Sequence, residues 1–119
     1  MNVTPLIETV KKYPNYDKVG MILCHNGVVR STSRDGRRVS GLKITVDHEK
    51  LQQVIKTQKT KPGIVEILVQ IDENKNLSVG DDVMLLLVAG DIRENVIPTL
   101  HDTLNAIKTT VTEKTEFFY

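Results

Sequence analysis

Two strongly apolar runs do most to limit the folds open to this chain. Residues 64–71 read IVEILVQI and residues 83–89 read VMLLLVA, and both have the length and side chains of buried β-strands. The polar residues 72–82 connect them as a loop. We therefore expect the two strands to pair at the centre of a sheet, and both are far too short to cross a bilayer.

Weaker patterns predict helices and further strands around this pair. Thr4 with Pro5 is typical of a helix cap and a first-turn proline, and Asp47 is a second candidate cap. Asp91 and Glu94 have the spacing of a capping box. In chain order we predict a helix over 4–12, strands over 19–30 and 39–46, a bulge at 40–41, a helix from 47, the two central strands, a helix over 91–111 and a tail that is an edge strand or an arm.

The predicted long helix has one apolar face and one interruption. Its apolar face comprises residues 92, 96, 100, 104, 107 and 111. Pro98 lies inside it and should introduce a kink. The complete order of elements indicates an α+β fold, with helices packed on a mostly antiparallel sheet.

The composition is that of an ordinary folded domain. Of the 119 residues, 39% are hydrophobic and 26% charged, and 16 basic side chains nearly balance 15 acidic ones. We expect one domain over residues 1–119, and a polybasic nucleic-acid binder is disfavoured. All aromatic rings lie near the two ends, so the core is expected to be aliphatic and base stacking is excluded between residues 17 and 116.

Cys24 is the only cysteine, which excludes an internal disulfide and a thiolate cluster for zinc. We expect it to be a small core residue, with its neighbour His25 on the opposite strand face, so that the two do not form a catalytic pair. The histidines lack metal-ligand spacing, and neither a metal nor a cofactor is expected. The single thiol and the absence of a signal-peptide pattern favour the cytoplasm.

Four of the five arginines fall within nine residues. Arg30, Arg34, Arg37 and Arg38 lie in or beside a glycine-containing loop that follows a predicted strand. A guanidinium group binds phosphate or carboxylate through two parallel hydrogen bonds, so this cluster predicts an anion site. The alternative is a solvated loop in which Asp35 is the local partner.

Two further cations lie on the predicted long helix. Arg93 is in its first turn, where free backbone N–H groups favour an anion, although a pairing with Glu94 or Asp91 is the alternative. Lys108 follows fifteen residues later. It is a candidate catalytic lysine or, alternatively, a surface charge that compensates the helix dipole.

Three segments resemble the large, catalytic subunit of molybdopterin synthase, the MoaE-like family. GMILCHNGVVR, residues 20–30, is similar to the family's first strand with its Gly-x-Val-Arg ending, and GRRVSGLKI, residues 36–44, to the following loop and strand. NLSVGDDVMLLLVAGDIRENV, residues 76–96, resembles the turn, strand and helix start that precede the family lysines. Arg93 and Lys108 then take the family's arginine and catalytic lysine positions, Lys114 lies beside the second lysine position at Thr115, and Ile92 replaces a histidine.

The resemblance implies an α/β-hammerhead-like sandwich and an enzyme of molybdenum cofactor biosynthesis. Such an enzyme transfers sulfur from the thiocarboxylate of a small ubiquitin-like, MoaD-like subunit to cyclic pyranopterin monophosphate, which forms the molybdopterin dithiolene. It works as a homodimer within a heterotetramer, with no nucleic acid or membrane partner. The residues carried over are Lys108 and Lys114 as catalytic groups, and Arg30, Arg37, Arg38 and Arg93 as groups that bind the anionic pterin phosphate.

Two alternatives to this enzyme remain open at the level of sequence. A non-catalytic relative would keep the fold and act as a binding or regulatory partner, which Ile92 and Thr115 favour. An unrelated small ligand-binding domain would follow if Arg30, Arg93 and Lys108 lay on separate surfaces.

Overall fold

The computed structural model describes residues 1–119, which form three α-helices and six β-strands. The helices are α1 (Thr4–Lys11), α2 (His48–Lys59) and α3 (Arg93–Ala106). The strands are β1 (Met21–Val28), β2 (Val39–Val46), β3 (Ile64–Ile71), β4 (Leu77–Ser78), β5 (Asp82–Gly90) and β6 (Thr112–Phe118). A 3₁₀ turn covers Tyr16–Lys18, and a π-helical turn covers Ile107–Val111 between α3 and β6.

The strands form two antiparallel sheets. The first has the order β1-β5-β3 and the second the order β4-β2-β6. The two apolar runs pair as β3 and β5, as predicted. β5 is central, but β3 lies at the edge of its sheet, so the prediction of a central position was wrong for β3. This arrangement confirms the mostly antiparallel α+β fold, although the sequence did not predict the division into two sheets.

β5 holds the core together because both of its faces are covered. Leu85 and Leu87 pack against Leu6 and Val10 of α1. Leu86 and Val88 face the other way and pack with Val96 of α3 and Ile67 of β3. The buried hydrophobic side chains are all aliphatic or methionine, which confirms the predicted core without rings.

Several local features predicted from the sequence are present in the structure. Asp47 caps α2, since its Oδ1 accepts a hydrogen bond from the backbone N–H of Lys50 at 3.1 Å. The predicted bulge near Ser40 and Gly41 is present as a register shift between β2 and β6. The tail forms β6 and pairs with β2 at the edge of the second sheet.

Other local predictions were wrong by a residue or more. Thr4 is the first residue of α1 and its side chain makes no cap, and β1 is two residues shorter at each end than predicted. α3 begins at Arg93 without a side-chain cap, because Asp91 Oδ1 accepts from Ile92 N and from Asn95 Nδ2 instead. The predicted capping box is therefore absent.

The predicted long helix also differs at both of its ends. Ile92 is 53% exposed and does not belong to the buried face. The α-helical part ends at Ala106, and the five residues that follow form the π-helical turn. Pro98 lies inside α3, as predicted.

Cys24 is exposed, which contradicts the prediction of a core position. β1 is an edge strand of its sheet, and the hydrophobic cluster beneath α1 includes Ile22 of β1 and does not extend to Cys24. No helix combines the length and the apolar character needed to cross a bilayer.

Candidate active site

A cleft opens where the end of α3 meets β1 of the first sheet and β2 and β6 of the second. Its volume is about 510 Å³. Its apolar lining comprises Val28, Leu42, Ile44, Ile71, Val83, Met84 and Ile107, and its polar side chains are His25, Asn26, Arg34, Lys108, Thr112 and Lys114. A hollow of about 620 Å³ at the start of α2 contains none of the predicted site residues.

Lys108 reaches the cleft from the π-helical turn. Ile107 and Val111, the first and last residues of this turn, are both buried, so Lys108 is held beside the core by its neighbours. The hydroxyl groups of Thr109 and Thr110 donate hydrogen bonds to the carbonyl oxygens of Asn105 and Ala106, at 2.9 and 2.6 Å. These threonines satisfy backbone acceptors that the wider turn leaves without the usual α-helical partner.

Lys114 reaches the same cleft from β6. The strand register places Lys114 opposite Ile44 of β2 and Thr115 opposite Lys43. Side chains alternate along a strand, so Lys114 shares the cleft face with Ile44 while Thr115 lies on the other face. The Nζ of Lys114 is 3.7 Å from a carboxylate oxygen of Glu116, two residues along the same strand.

His25 also lines the cleft and is less exposed than either lysine. It faces the α3 side of the first sheet, and Cys24 points to the opposite side, so the predicted separation of these two residues is confirmed. The Nε2 atom of His25 is buried and makes no hydrogen bond. Burial, and to a smaller extent the positive charge of Lys108, lower the pKa of His25 below its ordinary value.

Arg34 is the member of the arginine cluster that lines the cleft. Its loop is closed by a bridge between Thr32 and Arg38 and by a hydrogen bond from Ser33 N to the carbonyl of Arg37 at 2.9 Å. Asp35, the expected local partner, accepts a hydrogen bond from the Ser33 hydroxyl, and this bond is the main cause that lowers the pKa of Asp35.

Three arginines expected to bind substrate do not line the cleft. Arg37 stacks on the ring of Phe118, with 3.6 Å from its guanidinium carbon to the ring centroid, and Arg38 lies 4.8 Å from the ring centroid of Tyr119. The Nε of Arg30 donates to the carbonyl of Thr32 at 2.9 Å. The C-terminal rings therefore dock against two of the arginines, a contact between distant residues that composition alone could not reveal.

Arg93 lies far from the cleft of the same chain. It is separated from Lys108 by fifteen positions, which corresponds to about 22 Å of helix. Its Nε donates to Glu94 at 3.1 Å and its side chain is 79% exposed. The pairing with Glu94 that was the alternative for Arg93 is thus present.

The cleft is positively charged. Arg34, Lys108 and Lys114 supply three cationic groups, and no aspartate or glutamate lines it. A concave surface of this kind attracts anions and holds them best where water is partly excluded. The side chains present no group of histidine, cysteine, aspartate and glutamate arranged to hold a metal ion.

The sequence predicted Lys108 and Lys114, which both line the cleft, as site residues. It did not predict His25 as a site residue, and it did not distinguish Arg34 from the other arginines of its loop. His25 was considered only as a partner for Cys24. The signal that could have found it is Gly27, two residues later on the same strand face, which has no side chain and so lets the imidazole lie over it.

A family model described as MoaE protein matches residues 2–110. Among solved structures, a molybdopterin synthase from Staphylococcus aureus is 18% identical with a TM-score of 0.74, covering 91% of this chain and 85% of that chain. A molybdopterin cofactor biosynthesis protein E from Burkholderia multivorans is 16% identical with a TM-score of 0.77, covering 100% of this chain and 82% of that chain.

A complex of subunits 1 and 2 of the molybdopterin-converting factor from Helicobacter pylori is also similar. It is 14% identical with a TM-score of 0.73, covering 100% of this chain and 80% of that chain. At these identities the likeness to the solved structures concerns the fold. No curated protein sequence matches this chain significantly.

Proposed function

Since this chain belongs to the MoaE family, its place is in molybdenum cofactor biosynthesis, and we propose that it transfers sulfur to a pterin phosphate there. The sulfur comes from the C-terminal thiocarboxylate of a small ubiquitin-like, MoaD-like subunit. The acceptor is cyclic pyranopterin monophosphate, and the product is the molybdopterin dithiolene. Family membership also argues against the unrelated ligand-binding domain, although Arg93 and Lys108 lie on separate surfaces of the monomer.

The observation that carries this proposal is that Lys108 and Lys114 meet in one cationic cleft. They come from two different elements, the π-helical turn and β6, and only the tertiary fold brings them together. A cyclic phosphate and a thiocarboxylate are both anions, and the three cations of the cleft can hold one of each. Lys108 stabilises the negative charge that develops during transfer or acts as a covalent or acid–base group.

We assign Arg34 to the phosphate group because it is the arginine that lines the cleft. Arg30, Arg37 and Arg38 belong to the same loop region, where they supply positive potential at the rim and draw the anionic substrate in. A rim charge of this kind changes the association rate more than the chemical step.

The small subunit is the partner that the proposal requires. The similar complex from Helicobacter pylori contains two subunits of the molybdopterin-converting factor. We propose that this chain likewise forms a homodimer flanked by two small subunits, in the cytoplasm. Ile92 and Ile97, 53% and 49% exposed beside Arg93, provide apolar surface for contact with another chain.

A reconstituted conversion assay tests this function. The purified chain is mixed with the thiocarboxylated small subunit and cyclic pyranopterin monophosphate, and dithiolene formation is measured. Lys108→Ala is expected to abolish turnover because no other cation occupies its position at the end of the cleft. Lys56→Ala, at an exposed position on α2, is the matched control and should retain wild-type turnover.

The same assay decides between the enzyme and the non-catalytic alternative. Exposed Ile92, at the position of a family histidine, favours a chain that binds without conversion. If the wild type captures the small subunit and the pterin phosphate but forms no dithiolene, the chain is a binding or regulatory partner. Unchanged turnover in Lys108→Ala would remove this lysine from the mechanism.

A further inference from the structure

His25 is the one ionisable group in the cleft that the proposed function leaves without a task. Its Nε2 is buried and has no hydrogen-bond partner, and the residue lines the cleft of about 510 Å³. A buried polar atom without a partner destabilises the fold, and a hydrogen bond to a bound ligand can offset this cost.

The imidazole of His25 lies over a glycine of its own strand. A Cβ atom built on Gly27 would lie 3.4 Å from His25 Nε2, which shows that the imidazole extends over the glycine. Gly27 is the next residue on the same strand face, and it also lines the cleft. No side chain on its own strand therefore separates the imidazole from the cleft, although Nε2 itself has almost no exposed surface, so contact with a ligand requires a shift of the ring.

The groups that surround His25 are cationic or apolar. Lys108 approaches from the π-helical turn, Lys114 from β6 and Arg34 from the loop after β1, whereas β2 and β5 contribute Leu42, Ile44 and Met84. Two carboxylates contact residues of the cleft: Asp82 accepts a hydrogen bond from Asn26 Nδ2 at 3.1 Å, and an oxygen of Glu116 lies 3.7 Å from Lys114 Nζ. Neither carboxylate lines the cleft. No carboxylate therefore holds a proton on the imidazole when the cleft is empty.

We propose that His25 is the general acid of this cleft, and the proposal rests on the proposed function. An anionic substrate bound beside Lys108 brings negative charge to the imidazole, which then takes up a proton. Nε2 donates that proton to the oxygen atom that leaves the substrate carbon when sulfur bonds to it. Lys108 keeps its charge throughout and continues to hold the anion.

The transfer step balances with these groups alone. The thiocarboxylate sulfur forms a bond to the substrate carbon, and the carbon–oxygen bond of a hydroxyl group on that carbon breaks. The electron pair of the broken bond leaves with the oxygen, which takes the proton from Nε2 and departs as water. The products are a thioester between the two molecules, one water and a neutral imidazole.

Electrostatics support the direction of this proton movement. Burial and Lys108 lower the pKa of His25 in the empty cleft, so the imidazole is neutral near pH 7. A bound anion opposes the field of Lys108 and favours the imidazolium. Histidine is suited to this task because its charge changes near neutral pH, where general acids are most effective.

The first measurement does not depend on the proposed reaction. The chain has three histidines, and their imidazole resonances can be titrated by NMR with and without sulfate, an anion that does not itself titrate near pH 7. His25→Gln identifies the His25 resonance. Sulfate should raise the pKa of His25 towards its ordinary value. Lys108→Met should raise the pKa of His25 without sulfate and reduce the effect of adding it.

The second measurement is single-turnover sulfur transfer as a function of pH. The wild-type rate should fall as pH rises and the imidazolium of the substrate complex is lost. His25→Gln keeps a hydrogen-bonding side chain that cannot titrate, and should lower the rate about 100-fold or more and remove this fall. His101→Gln, whose histidine is exposed on α3 beside Asp102, is the matched control and should behave as wild type.

Each outcome decides one of the two proposals. A pKa of His25 that sulfate leaves unchanged overturns the general acid, and so does a His25→Gln variant with the wild-type pH profile, whatever its rate. If sulfate raises the pKa of His25 but the wild type transfers no sulfur, the proposed function fails while protonation of His25 on anion binding stands. Both proposals are supported if the wild-type rate of sulfur transfer depends on pH and the His25→Gln rate is low and independent of pH.

Discussion

Tyr13 links the end of α1 to the first sheet through a single side-chain contact. Its hydroxyl group donates a hydrogen bond to Glu66 Oε2 at 2.7 Å. The other oxygen of Glu66 accepts from Lys59 Nζ and from the backbone N–H of Ile67, both at 2.8 Å. Burial alone would raise the pKa of Glu66, but these hydrogen bonds outweigh it and lower that pKa. One carboxylate thus joins α1, α2 and β3.

At the residue scale, this contact predicts a distinct alkaline titration. The hydrogen bond to Glu66 raises the pKa of Tyr13 from 10.0 to about 12, so the stabilisation from this contact is complete below pH 10 and is lost as pH rises towards 12. Absorbance of tyrosinate should show a component near pH 12 that Tyr13→Phe removes and Tyr119→Phe retains. A titration of Tyr13→Phe that still contains this component would contradict the assignment.

At the element scale, strand register decides which of two adjacent residues reaches the cleft. Lys114 pairs with Ile44 and shares its face, while Thr115 pairs with Lys43 on the other face. β6 has seven residues, and its pairing with β2 from Thr112 to Phe118 holds it in this register. A shift of one residue would turn every side chain to the opposite face.

A double exchange tests this placement without changing the composition. Lys114→Thr with Thr115→Lys moves the lysine to the adjacent residue and keeps the charge of the chain. In the conversion assay we expect turnover to fall as far as in Lys114→Ala, because the ammonium group now points away from the cleft. Activity equal to the wild type would show that the face of the strand does not matter, and a thermal melt checks that the fold is retained.

At the scale of the whole molecule, β5 is the strand that packs against a helix on each face of the first sheet. Leu86 is fully buried against α3 and β3, and Leu85 is almost fully buried against α1. The cleft is attached to this centre through Met84, which packs with Ile107 and Val111 of the π-helical turn. The position of Lys108 therefore depends on the packing of β5 as well as on its own turn.

Leu86→Ala should destabilise the whole protein. Removing a fully buried leucine side chain leaves a cavity, and the free energy of unfolding should fall by about 2–5 kcal/mol in denaturant titration. Val79→Ala, at a position 43% exposed after β4, is the control and should change this free energy by less than about 0.5 kcal/mol. Equal effects of the two substitutions would show that β5 is not the centre of the core.

Sequence by itself determined the features that depend on neighbouring residues. The runs 64–71 and 83–89 are paired strands because apolar segments of this length and composition are best buried in a sheet. Asp47 caps α2 because its carboxylate reaches an N–H three residues away. The absence of rings from residues 17–116 already required an aliphatic core. Each of these features depends on contacts between residues close in sequence or on composition.

Only the tertiary structure decided which charged groups act together. Arg93 and Lys108 lie at opposite ends of one helical stretch, and the fold places the guanidinium group of Arg37, a candidate anion ligand, on the ring of Phe118. His25 carries no motif, and it became a site residue because β1, β6 and the π-helical turn converge on one cleft. Long-range packing sets these distances, and a side chain's charge acts only on the groups that packing brings near it.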